Sequence, residues 1–416
     1  MMKAWFAIPL WQRVIGALVL GVLAGLYFHY NWIEAAENIK IVGDVFIEFI
    51  KMLVVPLIFF SLVSGVASIG DIRKLGAVGG RAILLFLITG QIAIWLGIAL
   101  GLIFKPGVGL DTSSMERGDP PTPNEATWQD MILSIVPENP VAVMADGAVL
   151  PLIVFSILIG IGILMAKEEG EPVLKIFDSG AVVMQRVTAI VMELTPFGVF
   201  ALIAWVVGTI GPGAILALGQ VVFLNYLGCF IMIGIVYIGL LKFAAKVPVL
   251  DFFRGMVDAI AVAYSTASSS ATLPVTLRCL QRNIGVSRSV SSFTASLGAT
   301  VNMDGTAMYL GLATLFGAQI FGIDLTLGDY LMVSLLATVG SIGAAGIPGT
   351  GLIMMAMVFG AVGVPLETIA FVAGVDRIMD MMRTTTNVTS DATIATTVAS
   401  MTGDLDREEL VSADDV

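Results

Sequence analysis

The chain has 416 residues, of which 57% are hydrophobic and 13% charged, and a mean hydropathy of +0.96. Soluble domains are about a quarter charged, so this composition excludes an ordinary soluble protein and predicts a polytopic membrane protein. Of the net charge of −11, −5 lies in a C-terminal tail where Asp404, Asp406, Glu408, Glu409, Asp414 and Asp415 face only Arg407, and nothing resembles a nucleic-acid footprint. One histidine, His29, and two cysteines, Cys229 and Cys279, argue against a His-ligated zinc, a Ser-His-Asp site and a disulfide framework.

In chain order, apolar length and polar breaks predict spans at 14–32, 42–70, 82–104, 131–166, 181–211 and 216–243. The first is expected to be an uncleaved helix, because it exceeds a signal-peptide core and many spans follow it. Basic residues border the first span (Lys3, Arg13), the turn to the third (Arg73, Lys74, Arg81) and the stretch after the sixth (Lys242, Lys246, Arg254). The 105–130 loop instead holds Asp111, Glu116, Asp119, Glu125 and Asp130 against Lys105 and Arg117. The positive-inside rule therefore puts the N-terminus in the cytoplasm and this loop outside.

The second half is patterned differently. Residues 250–282 are interrupted by Ser268-Ser269-Ser270 and Pro274, and residues 329–363 by the run from Gly340 to Gly351. Their flanks are too short to cross about 30 Å of hydrocarbon, which predicts two helical hairpins that enter and turn back. Paired interrupted segments point to a transporter's binding site. A span over 290–322 lies between them and carries Asn302-Met303-Asp304-Gly305-Thr306. The tail from 403 onward is expected to be solvated and poorly ordered.

The chemistry concentrates at 376–391. At about 100° per residue, Asp380, Thr384, Asn387 and Asp391 share one helix face, flanked by Asp376 and Arg383. A charge at the centre of a membrane helix costs roughly 2.5–3.5 kcal/mol, so such a stripe implies that something charged is moved. Arg383 offers a planar fork to a carboxylate; the structural alternative is an internal ion pair with Asp376 or Asp380. Asp380 beside it favours a substrate that also carries an ammonium. Asn302, Asp304 and Asp391 suit a hard cation, or else helix–helix hydrogen bonds. Asp304, Asp376, Asp380 and Asp391 against Arg383 leave −3, and an acidic amino acid makes −4, which low dielectric resists without bound cations. The serine run has no neighbouring histidine to activate it, which disfavours an enzyme. A channel is the remaining class, and the two interrupted segments favour alternating access over it.

These residues resemble the glutamate transporter family of dicarboxylate/amino acid:cation symporters. The resemblance runs through Ser268 to Pro274, Asn302 to Thr306, Gly346 to Gly351 and Asp380 to Asn387, in order, with further likeness at Val136–Pro140 and Pro196–Phe200. It implies an all-α fold with eight transmembrane helices, two re-entrant hairpins and inverted repeats. It also implies a homotrimer in a bacterial or archaeal plasma membrane, with an elevator mechanism and both termini cytoplasmic. The scaffold would be 1–70 and 105–215, the mobile transport domain 71–104 and 216–403, and the acidic tail 404–416. Asp380 would take the substrate ammonium and Arg383 its side-chain carboxylate. Asn387 and amides near Ser269 would take the α-carboxylate, with Thr306, Ile347, Gly351 and Thr384 lining the pocket. One sodium would sit with Gly298, Asn302, Asn387 and Asp391. A second would use carbonyls of Thr300, Ser341 and Ile342 with the sulfur of Met303, and a third Asp304, Asn302 and Thr89.

The sequence departs from the family pattern in several places. Phe86 and Gly90 stand where hydroxyls support the third sodium, and Ala344 replaces a threonine beside the second. Ala267 and Met381 occupy the two positions where an arginine otherwise lies near the substrate. Leu310 replaces the glutamate of potassium-coupled members, which argues against potassium counter-transport. The expected cargo is aspartate or glutamate with sodium as coupling ion and no organic cofactor; proton coupling and C4-dicarboxylates are the alternatives.

Overall fold

The computed structural model describes residues 8–68, 77–110, 136–146, 149–343, 346 and 348–411. All regular elements among them are helical. The first half comprises α1 (Leu10–Asn31), α2 (Ile33–Ser68), α3 (Ala77–Phe104), α4 (Pro140–Asp146), α5 (Val149–Ala166), α6 (Glu171–Met192) and α7 (Thr195–Ile210). Next comes α8 (Pro212–Ile231), prolonged by π-helical turns over Met232–Tyr237 and Leu240–Ala245. The second half comprises α9 (Val249–Thr266), α10 (Ser269–Arg282), α11 (Arg288–Val301), α12 (Asp304–Phe321), α13 (Leu327–Gly343), α14 (Thr350–Val362), α15 (Glu367–Thr402) and α16 (Arg407–Val411).

Among the described residues, four stretches are long and apolar enough to cross a membrane unaided: Gln12–Asn31, Ile33–Ala67, Val78–Phe104 and Pro212–Ala245. The expected span at 181–211 is not one straight helix. Val154–Met192 and Thr195–Ile210 meet at a 51° bend, where Pro196 opens α7. Proline is pre-organised for a first helical turn and has no N–H to continue an earlier one. The expected span at 290–322 likewise divides, between α11 and α12, at Asn302 and Met303.

Two groups of helices pack together. In one, α2 packs on α5, α6 and α7, and α7 also packs on α1. In the other, α15 is surrounded by α3 and α8 to α12, while α9 packs on α10 and α13 on α14. From Thr368 to Ala399 every residue of α15 except Ile378 is buried. Such a polar helix survives burial because many of its threonines satisfy themselves. Thr385, Thr386, Thr389, Thr396 and Thr397 each donate to the carbonyl four residues back, at 2.7–3.0 Å. The charged and amide side chains are left to face neighbouring helices.

The expectation of a disordered tail is corrected for its first half. Ser287 N–H donates to the Asp404 carbonyl (3.0 Å) and Asp406 N–H to that of Gly285 (2.8 Å). Arg407 donates to the Lys246 and Ala245 carbonyls and to Ser400. Backbone pairing of the α10–α11 turn holds this strip in place. Residues 412–416 lie outside the described residues, as do 111–135 of the acidic loop.

Candidate functional site

The site forms where the breaks between α9 and α10, α11 and α12, and α13 and α14 approach α15. Helices α9 and α10 break at Ala267, which adopts a left-handed conformation (φ 51°). That conformation costs a non-glycine residue roughly 1–2 kcal/mol, so the surrounding contacts must enforce it. Ser268 then caps α10, its Oγ accepting from Ala271 N–H (3.2 Å) and donating to the Gly346 carbonyl (2.7 Å). Ser270 N–H donates to the same carbonyl (3.0 Å), so the tip between α9 and α10 touches the tip between α13 and α14. Ser269, expected to read substrate, is buried at this junction.

Arg383 is the largest fully buried side chain. Its Nη2 lies 2.9 Å from Oδ1 of Asp376 and 2.9 Å from Oδ1 of Asp380. The expected substrate ligand is thus also an internal ion pair, and Asp376 positions it. The Tyr309 ring stacks on the guanidinium, 3.9 Å from ring centre to Cζ. On another side Gly351 comes so close that an added Cβ would lie 3.0 Å from Nη1. Nε and Nη1 have no hydrogen-bond partner among the described residues. Asp380 accepts Gly349 N–H on Oδ2 at 3.1 Å, which connects the α13–α14 tip to the stripe.

One turn onward the break between α11 and α12 brings amides and carboxylates together. Asn302 Nδ2 donates to Oδ1 of Asp391 (2.8 Å) and to Ser390 Oγ (2.9 Å), while its Oδ1 has no hydrogen-bond partner among the described residues. Asn387 accepts Gly305 N–H on Oδ1 (2.7 Å) and donates Nδ2 to the Met303 sulfur (3.2 Å). Two glycines permit this approach. A Cβ on Gly298 would collide with the Asp391 carboxylate, and one on Gly305 with the Arg383 backbone. Asp304 receives hydroxyls from Ser390 (2.8 Å) and Tyr237 (2.8 Å) on Oδ2 and from Thr89 (3.2 Å) on Oδ1.

Most sequence-predicted residues therefore converge: Asp380, Arg383 and Gly351 at one level, and Gly298, Asn302, Met303, Asp304, Asn387, Asp391 and Thr89 at the next. Thr306 and Thr384 are buried on the packed helices α12 and α15. Thr300 is only half-buried and turns its hydroxyl back to the Leu297 carbonyl (3.1 Å). Ser341 and Ile342 end α13, with side chains outside the described residues, and Ile347 lies outside them altogether.

Four participants escaped the sequence reading. Tyr309 and Ser390 were hidden in otherwise ordinary helix. Tyr237 sits on a π-helical turn, which re-aims a side chain in a way no apolar pattern reveals. Arg377, next to Asp376, is 6% exposed and was the legible omission, being a second arginine in the same helix. Counting it lowers the net charge of the buried cluster from −3 to −2.

Buried helices that break around a charged stripe, in a chain with several membrane-length helices, define a multi-pass membrane transporter. The sodium:dicarboxylate symporter family model matches residues 10–401, and the chain belongs to that family. It is 36% identical over 406 residues to the proton/sodium-glutamate symport protein of Geobacillus stearothermophilus, covering 96% of each chain. It is 36% identical to the proton/glutamate-aspartate symporter of Escherichia coli (strain K12), covering 97% of this chain and 94% of that one. It is 33% identical to the C4-dicarboxylate transport protein of Bacillus subtilis (strain 168), covering 96% and 95%. The protein is a symporter of a small-molecule substrate, not an enzyme.

Proposed function

We propose that this symporter imports aspartate or glutamate coupled to sodium. The observation that carries the reading is the buried Arg383–Asp380 pair, whose acidic partner is held in turn by Gly349 N–H. A C4-dicarboxylate brings two carboxylates and no ammonium, so Asp380 would face it as a like charge. An acidic amino acid places its ammonium on Asp380 and its side-chain carboxylate on Arg383, whose Nε and Nη1 remain available as donors. Tyr309 and Gly351 hold the guanidinium before cargo arrives, which lowers the ordering cost of binding. The α-carboxylate is assigned to Asn387 and the amides near Ser269.

Sodium is assigned as the coupling ion because Asn302, Asn387 and Asp391 offer the amide and carboxylate oxygens a hard cation prefers. The first site uses Gly298 with these three. The second uses the Met303 sulfur and the carbonyls of Thr300, Ser341 and Ile342. The third uses Asp304, Asn302 and Thr89, where a cation competes with the hydrogen bonds that Tyr237 and Ser390 already supply to Asp304.

The helix groups support a division into a scaffold (1–70 and 105–215) and a sliding transport domain (71–104 and 216–403), assembled as a homotrimeric elevator. In this reading α9–α10 and α13–α14 are re-entrant hairpins, and Gly349 couples the second hairpin's closure to cargo bound at Asp380. Non-helical backbone at their tips is tolerated because protein groups satisfy it. The test is uptake of labelled L-aspartate into proteoliposomes under sodium and proton gradients imposed separately. Saturable uptake driven by the sodium gradient is expected. Uptake driven only by the proton gradient replaces the coupling ion, and no uptake under either removes the substrate.

A further inference from the structure

Arg377 has no place in the machinery so far, yet it is 6% exposed in the first third of the cargo-reading helix. Its Nη2 donates to the Thr266 carbonyl at 3.1 Å. Thr266 is the last residue of α9, immediately before the left-handed Ala267, so this carbonyl belongs to the tip that carries Ser268 and Ser269. A cation at a helix C-terminus meets the negative end of the helix dipole, which holds the guanidinium at the tip. Nε and Nη1 have no hydrogen-bond partner among the described residues. Buried donors of a charged group are costly to leave unmade, and none of the described side chains offers them an acceptor.

The helical wheel then orders the charges. Taking about 100° per residue, Arg377 lies three residues before Asp380 and Arg383 three after it, so Asp380 falls midway between the two arginines on one face. Asp376 also lies on this face, between Asp380 and Arg383, and is held against Arg383 at 2.9 Å. With Asp376 positioning Arg383, the face presents cation, anion, cation across its width. An acidic amino acid presents the complementary series: carboxylate, ammonium, carboxylate. Arg383 takes the side-chain carboxylate and Asp380 the ammonium in the function proposed above, on which this inference rests. That leaves the α-carboxylate facing the α9–α10 tip, where Arg377 is anchored. We propose that Arg377 is a specificity-determining residue that joins Asn387 and the amides near Ser269 in reading the α-carboxylate of the cargo, through the donors not used by Thr266. Two independent cations then enforce two carboxylates on the cargo.

The test is binding to the purified full-length protein in saturating sodium, by calorimetry for L-aspartate and by competition for its α-amide and for succinate. The wild type is expected to prefer L-aspartate to the α-amide by at least about tenfold. Arg377→Gln is expected to lose about tenfold or more in L-aspartate affinity and to shift the α-amide by no more than about twofold, collapsing that preference. Arg377→Lys retains the charge and is expected to recover part of the preference; it also serves if the glutamine variant is not monodisperse. Unchanged L-aspartate affinity in these variants overturns the proposal. So does an equal loss for all three ligands, because that describes a tip-holding role alone. A wild type that binds neither L-aspartate nor succinate overturns the acidic-cargo reading and this inference together. Wild-type binding with an unmoved preference in the variants overturns this inference alone.

Discussion

At the scale of single residues, one buried guanidinium organises the site. Arg383 is balanced by Asp376 and Asp380, stacked on Tyr309 and crowded by Gly351. Deleting it leaves two buried carboxylates unbalanced, a change worth about 3–5 kcal/mol in comparable pairs. Arg383→Ala should therefore lose at least about a hundredfold in L-aspartate affinity, measured by competition against sodium-driven uptake, and should admit neutral amino acids. Unchanged aspartate affinity would remove Arg383 from the cargo site. The stripe itself was legible, because charges in an apolar helix stand out and their spacing places them on one face. Arg377 was visible in the same way, as a charge in the same helix next to Asp376. Tyr237 and Ser390 were not visible, since a hydroxyl in a membrane helix usually satisfies its own backbone, as Thr385 and Thr386 do here.

At the scale of elements, the breaks matter more than the helices. The gap between α11 and α12 frees Asn302 to face α15, and Gly298 lets Asp391 approach α11 without a side chain between them. Gly298→Ala puts a methyl against that carboxylate. The expected result is at least about a tenfold rise in the sodium concentration needed for half-maximal aspartate binding, read by titrating sodium. An unshifted sodium titration would place the cation elsewhere. The interruptions at Ser268–Ser270 and Gly340–Gly351 were readable from glycine, proline and serine in apolar runs. The bend at Pro196 and the extension of α2 back to Ile33 were not, because apolar length carries no direction and one helix can outlast its apolar stretch.

At the scale of the molecule, the elevator reading requires α15 to slide on α7. A Cβ built on Gly374 in α15 falls 3.8 Å from the Ile203 Cβ in α7, which is the spacing a disulfide prefers. The free cysteines, Cys229 and Cys279, are both buried and should not compete. In the Ile203→Cys, Gly374→Cys double variant, oxidation should reduce sodium-driven uptake to below about a tenth, reduction should restore it, and aspartate binding should persist. Full uptake by the cross-linked protein would mean that this contact never moves.

Hydropathy, one conspicuous stripe and four ordered motifs were enough to determine a membrane symporter and to name most of the buried charged and amide residues. Those signals are local: apolar length, helical period and breaker residues act within one element. Tertiary structure alone decided which partner each polar group takes. It set Arg383 between two aspartates and Tyr309, gave Asp304 the hydroxyls of Tyr237, Ser390 and Thr89, and anchored Arg377 to the α9–α10 tip. Such pairings join residues up to 215 positions apart, and no periodicity within a helix encodes which distant surface will lie against it.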